Sequence, residues 1–273
     1  MSKSVLFEAD WRLKADPLAE RDEIFAPRIA LLTEALNSSG NRPLTILDAA
    51  CAGGSFAAFF REKYHRVVPC DISFTALTLT RRHHLVGDGV ACTVEALPVK
   101  DQTFDAVWFG ESLALLENVH AALSEFNRVL KPGGWLALTT PYYGRLKSLA
   151  IVLFHFDRHF YPEDYRIRHF SRSSLTRVLK HNGFKVSRWK GIGRFAGFWQ
   201  TQYALSYKVA MPRPKPNWHL PGSDYPDASP LDATEYFAVT NAGSCEKPEE
   251  REEDHLNLRQ QRTSQEEERK RHT

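Results

Sequence analysis

The sequence predicts an α/β fold in which a mostly parallel sheet carries helices on both faces, and three observations predict it. Short apolar runs alternate with helix-spaced segments over 44–141, the order that gives parallel strands joined by crossover helices. The first run, Ile46-Leu47-Asp48-Ala49, breaks into Ala50-Cys51-Ala52-Gly53-Gly54 and resumes as Ser55-Phe56-Ala57-Ala58-Phe59-Phe60, which reads as buried strand, tight turn and helix. Two late runs, 184–189 and 203–210, are joined too closely for a crossover helix. They therefore form an antiparallel hairpin at one end of the sheet.

An N-terminal helical segment is expected within 1–40, because Ile24, Ile29, Leu31, Leu32 and Leu36 recur at helical spacing before Asn37-Ser38-Ser39-Gly40 ends the run. Strands follow at 44–49, 66–70, 90–94 and 104–109, with a helix from about Ser73. Over 119–130, Val119, Ala122, Leu123, Phe126, Val129 and Leu130 form one apolar helical face, which Lys131-Pro132-Gly133-Gly134 stops before a strand at 135–140. Beyond Pro141 a stretch rich in aromatic and basic residues, about 142–170, is expected to fold over the site as a lid inserted into a domain spanning 41–210. Ser171 or Ser173 then caps a helix carrying Leu175, Val178 and Leu179, which ends at Asn182-Gly183. The proline-rich and then charged tail, 211–273, is expected to be largely disordered, with a solvated helix over 246–271 as the alternative.

With 273 residues, 42% of them apolar, the chain can bury one sizeable core plus accessories. A net charge of +3 without a basic stripe gives no electrostatic argument for a nucleic-acid partner. Cys51, Cys70, Cys92 and Cys245 lie far apart with no C-x-x-C pair, as expected of reduced thiols in a cytoplasmic protein. Residues 1–8 reach Glu8 too soon to hold the apolar core of a signal peptide, and the longest apolar run falls short of the ~20 residues that span a bilayer.

In an open parallel sheet, ligands bind at the carboxyl ends of the strands where the strand order reverses. That puts the turn from Asp48 to Gly54 at the centre of the site. The next strand ends at Cys70-Asp71-Ile72, where a carboxylate can accept both hydroxyls of a ribose. This pairing fits nicotinamide dinucleotides and nucleosides equally. The dinucleotide fingerprint G-x-G-x-x-G is missing, however, and an acid at the strand end suits an ammonium group better than a pyrophosphate.

Asp48-Ala49-Ala50-Cys51-Ala52-Gly53-Gly54 resembles the D-x-G-C-G-x-G motif of class I S-adenosylmethionine-dependent methyltransferases. Cys70-Asp71-Ile72-Ser73, Ala96-Leu97-Pro98, Phe104-Asp105-Ala106-Val107 and Arg128-Val129-Leu130-Lys131-Pro132-Gly133-Gly134 match the same family in order. The segment Thr139-Thr140-Pro141-Tyr142-Tyr143-Gly144 resembles its type 11, ubiquinone-biosynthesis-like members. The resemblance implies a three-layer, Rossmann-like, seven-stranded and mostly parallel sheet whose last strand is antiparallel, with S-adenosyl-L-methionine as cofactor. It further implies that Asp48 supports the methionine ammonium, with Ala50 and Gly54 in the turn offering backbone groups to the methionine part. Asp71 would hold the ribose and Ile72 the adenine, with Thr93 and Val94 at its rim. Gly110 would lie near the sulfur. Thr93 stands where the family often has an acid, so either Thr93 or Glu95 would meet the adenine amine. Ala50 and Ala52 replace two family glycines, which is tolerable only if both avoid positive φ.

Two residues are candidates for catalysis. His169 is expected in the lid with a pKa suited to a general base, its alternative being a hydrogen-bonded lid histidine. Glu111 either lines the acceptor pocket or caps a helix. The metal-binding E-x-x-E-H of ubiquinone O-methyltransferases is reduced here to Glu111-Ser112-Leu113-Ala114-Leu115. His155, Asp157 and His159 have a metal-like spacing that a polar aromatic lid explains equally, so no metal is assigned. Over 145–160 an apolar stretch flanked by Arg145, Lys147 and Arg158 fits peripheral membrane contact, a lipid-like acceptor, or the lid's own core. The function expected is methyl transfer to a small-molecule or lipid-linked acceptor at oxygen. The alternatives are a degenerate methyltransferase-fold scaffold without turnover and a nicotinamide oxidoreductase.

Overall fold

The computed structural model describes residues 8, 24–40, 42–82, 89–161, 166–196 and 198–209. The sequence-based expectations for 211–273, and for residues before Ile24 other than Glu8, fall outside these described residues. Helix α1 spans Phe25–Asn37, followed by β1 (Thr45–Ala49), α2 (Ser55–Glu62), β2 (Arg66–Asp71), α3 (Phe74–Arg82), β3 (Val90–Ala91) and β4 (Phe104–Gly110). Then come α4 (Val119–Val129), β5 (Leu130–Pro141), α5 (Arg145–Phe154), α6 (Phe156–His159), α7 (Arg172–His181), β6 (Phe184–Ile192) and β7 (Thr201–Lys208).

The strands form one seven-stranded sheet in the order β3-β2-β1-β4-β5-β7-β6. All neighbours pair in parallel except β7, which is antiparallel to both β5 and β6. The late hairpin is therefore as expected, with its second strand inserted beside β5.

Alternation along the central strands builds two cores. Ile46 of β1 and Trp108 of β4 pack with Leu32 of α1 and Phe60 of α2, while Leu47 and Phe109 face Leu123 and Phe126 of α4 and Leu179 of α7. Each such fully buried side chain contributes roughly 1.5–3 kcal/mol from removal of apolar area from water. Helix α7 begins with a capping box in which Ser171 Oγ accepts from Ser174 N–H, satisfying a donor that the first turn leaves open.

Several strand boundaries differ from the sequence expectation, two of them for a visible local reason. β3 stops at Ala91 because the chain turns back at once, Ala96 N–H donating to Thr93 O at 3.2 Å. β5 starts five residues early, since Leu130 pairs with Phe104 before a register shift, and Gly133 takes φ 73° to carry the chain onward. The Pro-Gly-Gly run thus ends the helix and kinks a strand, rather than forming a loop.

The strand order reverses between β1 and β4. A crevice at their carboxyl ends has β2 and β3 on one side and β5, β7 and β6 on the other.

Candidate functional site

The turn after β1 is held from both sides. Ala52 N–H donates to Asp71 Oδ2 at 2.9 Å, and Thr80 Oγ1 of α3 lies 3.1 Å from Ala52 O. Cys51 N–H donates to Cys70 O at 2.9 Å, tying the same turn to β2. Under this clamp Ala50 and Ala52 adopt φ 52° and 50°. The condition set for tolerating alanine at these two positions, that both avoid positive φ, is not met: they occupy the left-handed region that favours glycine, at a cost of about 1–3 kcal/mol each that the surrounding bonds offset. Gly54, at φ 77°, caps α2, and a Cβ there would sit 2.4 Å from Thr80 Cγ2. Only a glycine allows the turn and α3 to approach this closely.

Asp48 is 1% exposed, and its Oδ2 has no hydrogen-bond partner among the described residues. Burial, then the neighbouring Asp71 carboxylate, push its pKa up to about 8, against a bond from the Ala57 backbone. Ser55 Oγ, at the start of α2, is likewise buried without a partner. Unpartnered buried polar atoms are costly, and here the two flank the turn between β1 and α2. Cys51 is buried beside both acids, and burial first, then Asp48 and Asp71, push its thiol well up.

At the end of β2, Asp71 is 6% exposed and its Oδ1 accepts from Ser73 N–H at 2.9 Å. Ser73 Oγ donates in turn to Glu8 at 2.8 Å, and the same Glu8 carboxylate accepts from Thr75 N–H and Thr75 Oγ1 at the first turn of α3. Ile72 is 41% exposed beside this network, an apolar surface next to a buried acid.

The third wall follows β3. Val94 is buried among core residues, so it can offer a ligand only its backbone. Thr93 Oγ1 accepts from Glu95 N–H at 3.3 Å. The Glu95 carboxylate is engaged elsewhere, accepting Asn118 N–H at 2.7 Å ahead of α4.

On the other side of the crevice, Gly110 ends β4, and a Cβ on it would meet the Trp108 ring at 3.0 Å. Glu111 follows with φ 54°; its N–H donates to Thr139 O at 2.9 Å, and its Oε1 accepts from Thr201 Oγ1 at 2.6 Å. It caps no helix: the short 3-10 turn Leu113–Leu115 starts from Ser112 without a side-chain cap. Thr139, Thr140 and Thr201 make this strand end a buried polar floor.

The described residues of 142–161 and 166–170 are tied to each other and to the segment after β4. Tyr143 N–H donates to Phe170 O at 2.9 Å, and Ile167 and Arg168 N–H both donate to Ala114 O. His169 is exposed, its ring 4.3 Å from that of buried Tyr143 and 5.5 Å from Phe160. Lys147 reaches the same ring from α5, its Nζ 5.2 Å from the Tyr143 centroid and 3.0 Å from Trp199 O. Burial, then Arg194 and Arg166, lower its pKa to about 8, against Glu111, which raises it. The idea that 146–160 forms the lid's own core is corrected: Leu146, Leu149, Leu153 and Phe154 are all exposed, and Ile151 alone in α5 is buried.

Sequence patterning thus finds Asp48, Gly54, Asp71, Gly110 and Glu111 around one crevice. It misses Thr80, Thr201 and Arg194, which arrive from distant positions with no local spacing to announce them, and it sees in Lys147 only a flanking charge. Among the described residues no group of three or more His, Cys, Asp or Glu could hold a metal ion, and no helix is long and apolar enough to cross a membrane.

Residues 47–138 match a family described as a methyltransferase domain. The malonyl-[acyl-carrier protein] O-methyltransferase of Pseudescherichia vulneris is 33% identical over 108 residues, 40% of this chain and 43% of the relative. The chain therefore spans about two-fifths of the length of the curated relatives it matches. Among solved structures, the 1,6-didemethyltoxoflavin-N1-methyltransferase of Burkholderia thailandensis, with bound 1,6-didemethyltoxoflavin and S-adenosylhomocysteine, is 20% identical with a TM-score of 0.57, covering 76% of this chain and 85% of its own. The N-methyltransferase NodS of Bradyrhizobium japonicum, in complex with S-adenosylhomocysteine, is 15% identical with a TM-score of 0.56, covering 76% and 99%. These likenesses show the fold. The sequence likeness to methyltransferases is therefore carried by the domain match over residues 47–138.

Proposed function

We propose that the chain transfers a methyl group from S-adenosylmethionine to oxygen of a small-molecule or lipid-linked acceptor. One observation carries this reading: the buried Asp48 Oδ2, without a partner among the described residues, beside a turn held in left-handed backbone geometry. A cationic donor such as an amino-acid ammonium suits that atom. Asp48 would hold the ammonium, with Ala50 and Gly54 as backbone contacts. Asp71 would bind the ribose hydroxyls. Ile72, with the backbone of Thr93 and Val94, would flank the adenine, and Gly110 would lie near the sulfur. When bound, the cofactor supplies an electrophilic methyl group on a sulfonium centre.

The residues then have to orient an acceptor in line and exclude water, a contribution on the order of 7–11 kcal/mol for well-placed reactants. Glu111, fixed by Thr201, and His169, stacked on Tyr143, are the proposed proton acceptors for a hydroxyl nucleophile. Relatives named as O-methyltransferases of a malonyl group on acyl-carrier protein support oxygen as the target and a carrier- or lipid-linked acceptor. Peripheral membrane contact through 145–160 is supported by exposed Leu146 (62%) and Phe154 (75%) between Arg145 and Arg158. The scaffold alternative loses its main support, because the alanine-bearing turn keeps the conformation that glycines would take.

Calorimetry with S-adenosylhomocysteine tests the first half of the proposal. Micromolar binding is expected, and no heat at millimolar ligand would overturn it. Mass spectrometry for a +14 Da product across a panel of acceptors, at the order of one methyl group per product, tests the second.

A further inference from the structure

Thr201 Oγ1 stands between two oxygens. It lies 2.6 Å from Glu111 Oε1 and 2.7 Å from the backbone carbonyl oxygen of Thr140, both within the range of a hydroxyl donating to oxygen. A hydroxyl has one proton to donate. It therefore serves one of these acceptors at full strength and not the other.

Backbone fixes all three oxygens. Thr201 opens β7, where it pairs with Pro141 of β5 on one side and Ile192 of β6 on the other. Glu111 has φ 54°, and its N–H lies 2.9 Å from Thr139 O and 3.3 Å from Thr139 Oγ1, so β5 holds a left-handed residue whose carboxylate meets β7. Thr201 and Thr140 are 1% and 0% exposed, which keeps bulk water from competing for the hydroxyl proton.

The charge on Glu111 decides between the two acceptors. An ionised carboxylate accepts a charge-assisted bond, roughly twice as strong as a neutral one, and takes the Thr201 proton. Protonation of Glu111 removes that advantage. The peptide carbonyl of Thr140 then takes the hydroxyl, and where the carboxyl proton sits on Oε1, Glu111 itself donates to Thr201 Oγ1. Among the described residues, Lys147 of α5 acts electrostatically with Glu111, while the adjoining Thr139, Thr140 and Thr201 carry no charge.

We propose that Thr201 is a positioning residue whose hydroxyl turns from Glu111 to the Thr140 carbonyl when Glu111 takes up a proton. The inference rests on the reading of Glu111 as a proton acceptor in methyl transfer, and it deepens that reading by showing how one site accommodates both forms of the acid. As the acceptor's O–H bond breaks, its electron pair stays on the acceptor oxygen and the proton forms an O–H bond to Glu111. Thr201 answers by rotation about its own C–O bond, and no heavy atom moves. Neither form of Glu111 leaves the buried hydroxyl with an unmet donor, which would be costly. Release of the proton from Glu111 reverses the turn.

Nuclear magnetic resonance of the full-length chain without cofactor tests the proposal, with 13C at the glutamate side-chain carboxyls and the threonine carbonyls. Loss of a signal in Glu111→Gln and in Thr140→Ser assigns the two reporters. Between about pH 4 and pH 9 the Glu111 carboxyl and Thr140 carbonyl signals of wild type are expected to move with one common midpoint. In Thr201→Val, which keeps the shape and removes the hydroxyl, the Thr140 signal is expected to stop following Glu111. The Glu111 midpoint is expected to rise there by about one pH unit, because the carboxylate has lost its donor. Thr201→Ser is expected to restore both, which separates the hydroxyl from packing. A Thr140 signal that stays still while Glu111 titrates overturns the proposal, as does one that follows Glu111 unchanged in Thr201→Val, or a Glu111 carboxyl that does not titrate in this range. Should Thr201→Val not fold, the common midpoint in wild type and Thr201→Ser decides. Calorimetry with S-adenosylhomocysteine is read separately: no binding to a wild-type chain whose two signals move together overturns the methyl-transfer reading and leaves the turning hydroxyl standing.

Discussion

Asp71 Oδ2 accepts the backbone N–H of Ala52 at 2.9 Å, so the acid at the end of β2 also shapes the turn that follows β1. Replacing Asp71 with Ala removes both jobs. The variant is expected to lose stability by about 1–3 kcal/mol, the cost of a buried donor left open, and to bind S-adenosylhomocysteine at least tenfold more weakly. Thermal melts and calorimetry on the same preparation check the two effects. Full affinity in a folded Asp71→Ala chain would remove Asp71 from the proposed site.

Ala52 at φ 50° makes a second expectation specific. Glycine accepts this conformation without a Cβ clash, so Ala52→Gly should raise the unfolding free energy by up to about 1 kcal/mol after allowing for the extra freedom glycine has when unfolded. A urea titration measures it. A decrease in stability would mean that the methyl group of Ala52 contributes more through packing than its backbone loses.

Asp48 supplies a proton-linked test. Its folded pKa of about 8 lies above the ordinary 3.8, so between those values the ligand-free folded chain holds a proton that the unfolded chain has released. Stability from this group is present at low pH and lost as pH rises through about 8. A bound ammonium favours the ionised carboxylate, so cofactor binding at pH 7 should release roughly one proton per site, falling away as pH rises through about 8. Calorimetry in phosphate and Tris, whose ionisation enthalpies differ, reads this directly. Equal enthalpies in the two buffers would show that Asp48 does not change protonation on binding.

His169 and Glu111 can be separated by substitution. His169→Ala should depress turnover about 100-fold if the imidazole accepts a proton in the transition state, with affinity for S-adenosylhomocysteine unchanged. Glu111→Gln keeps a hydrogen bond to Thr201 and removes only the charge. Its turnover should fall while the melting temperature stays within a few degrees. Turnover unchanged in both variants would point to an acceptor that needs no base.

Local patterning made the β1 turn, its leading acid and the Asp71 partner legible, because strand, small residues and helix follow one another within a few positions of the chain. It could not reveal the left-handed alanines. Their conformation is imposed by Asp71 and Thr80, which reach the turn from other elements. The same limit hid Thr201 and Arg194. The early start of β5 was obscured for a different reason: Lys131-Pro132-Gly133-Gly134 has the composition of a loop, yet Leu130 pairs with Phe104 before the chain reaches it.

The reversal of strand order between β1 and β4 divides the crevice between an early and a late part of the chain. The half facing β2 and β3 lies within the matched segment 47–138, while Lys147, Arg166, Arg194 and Thr201 all lie after it. On the proposed function, changes after β5 would alter the acceptor side and leave the turn at Asp48 and the end of β2 untouched. Grafting residues 142–200 onto a relative's domain would transplant preference without rebuilding the turn at Asp48.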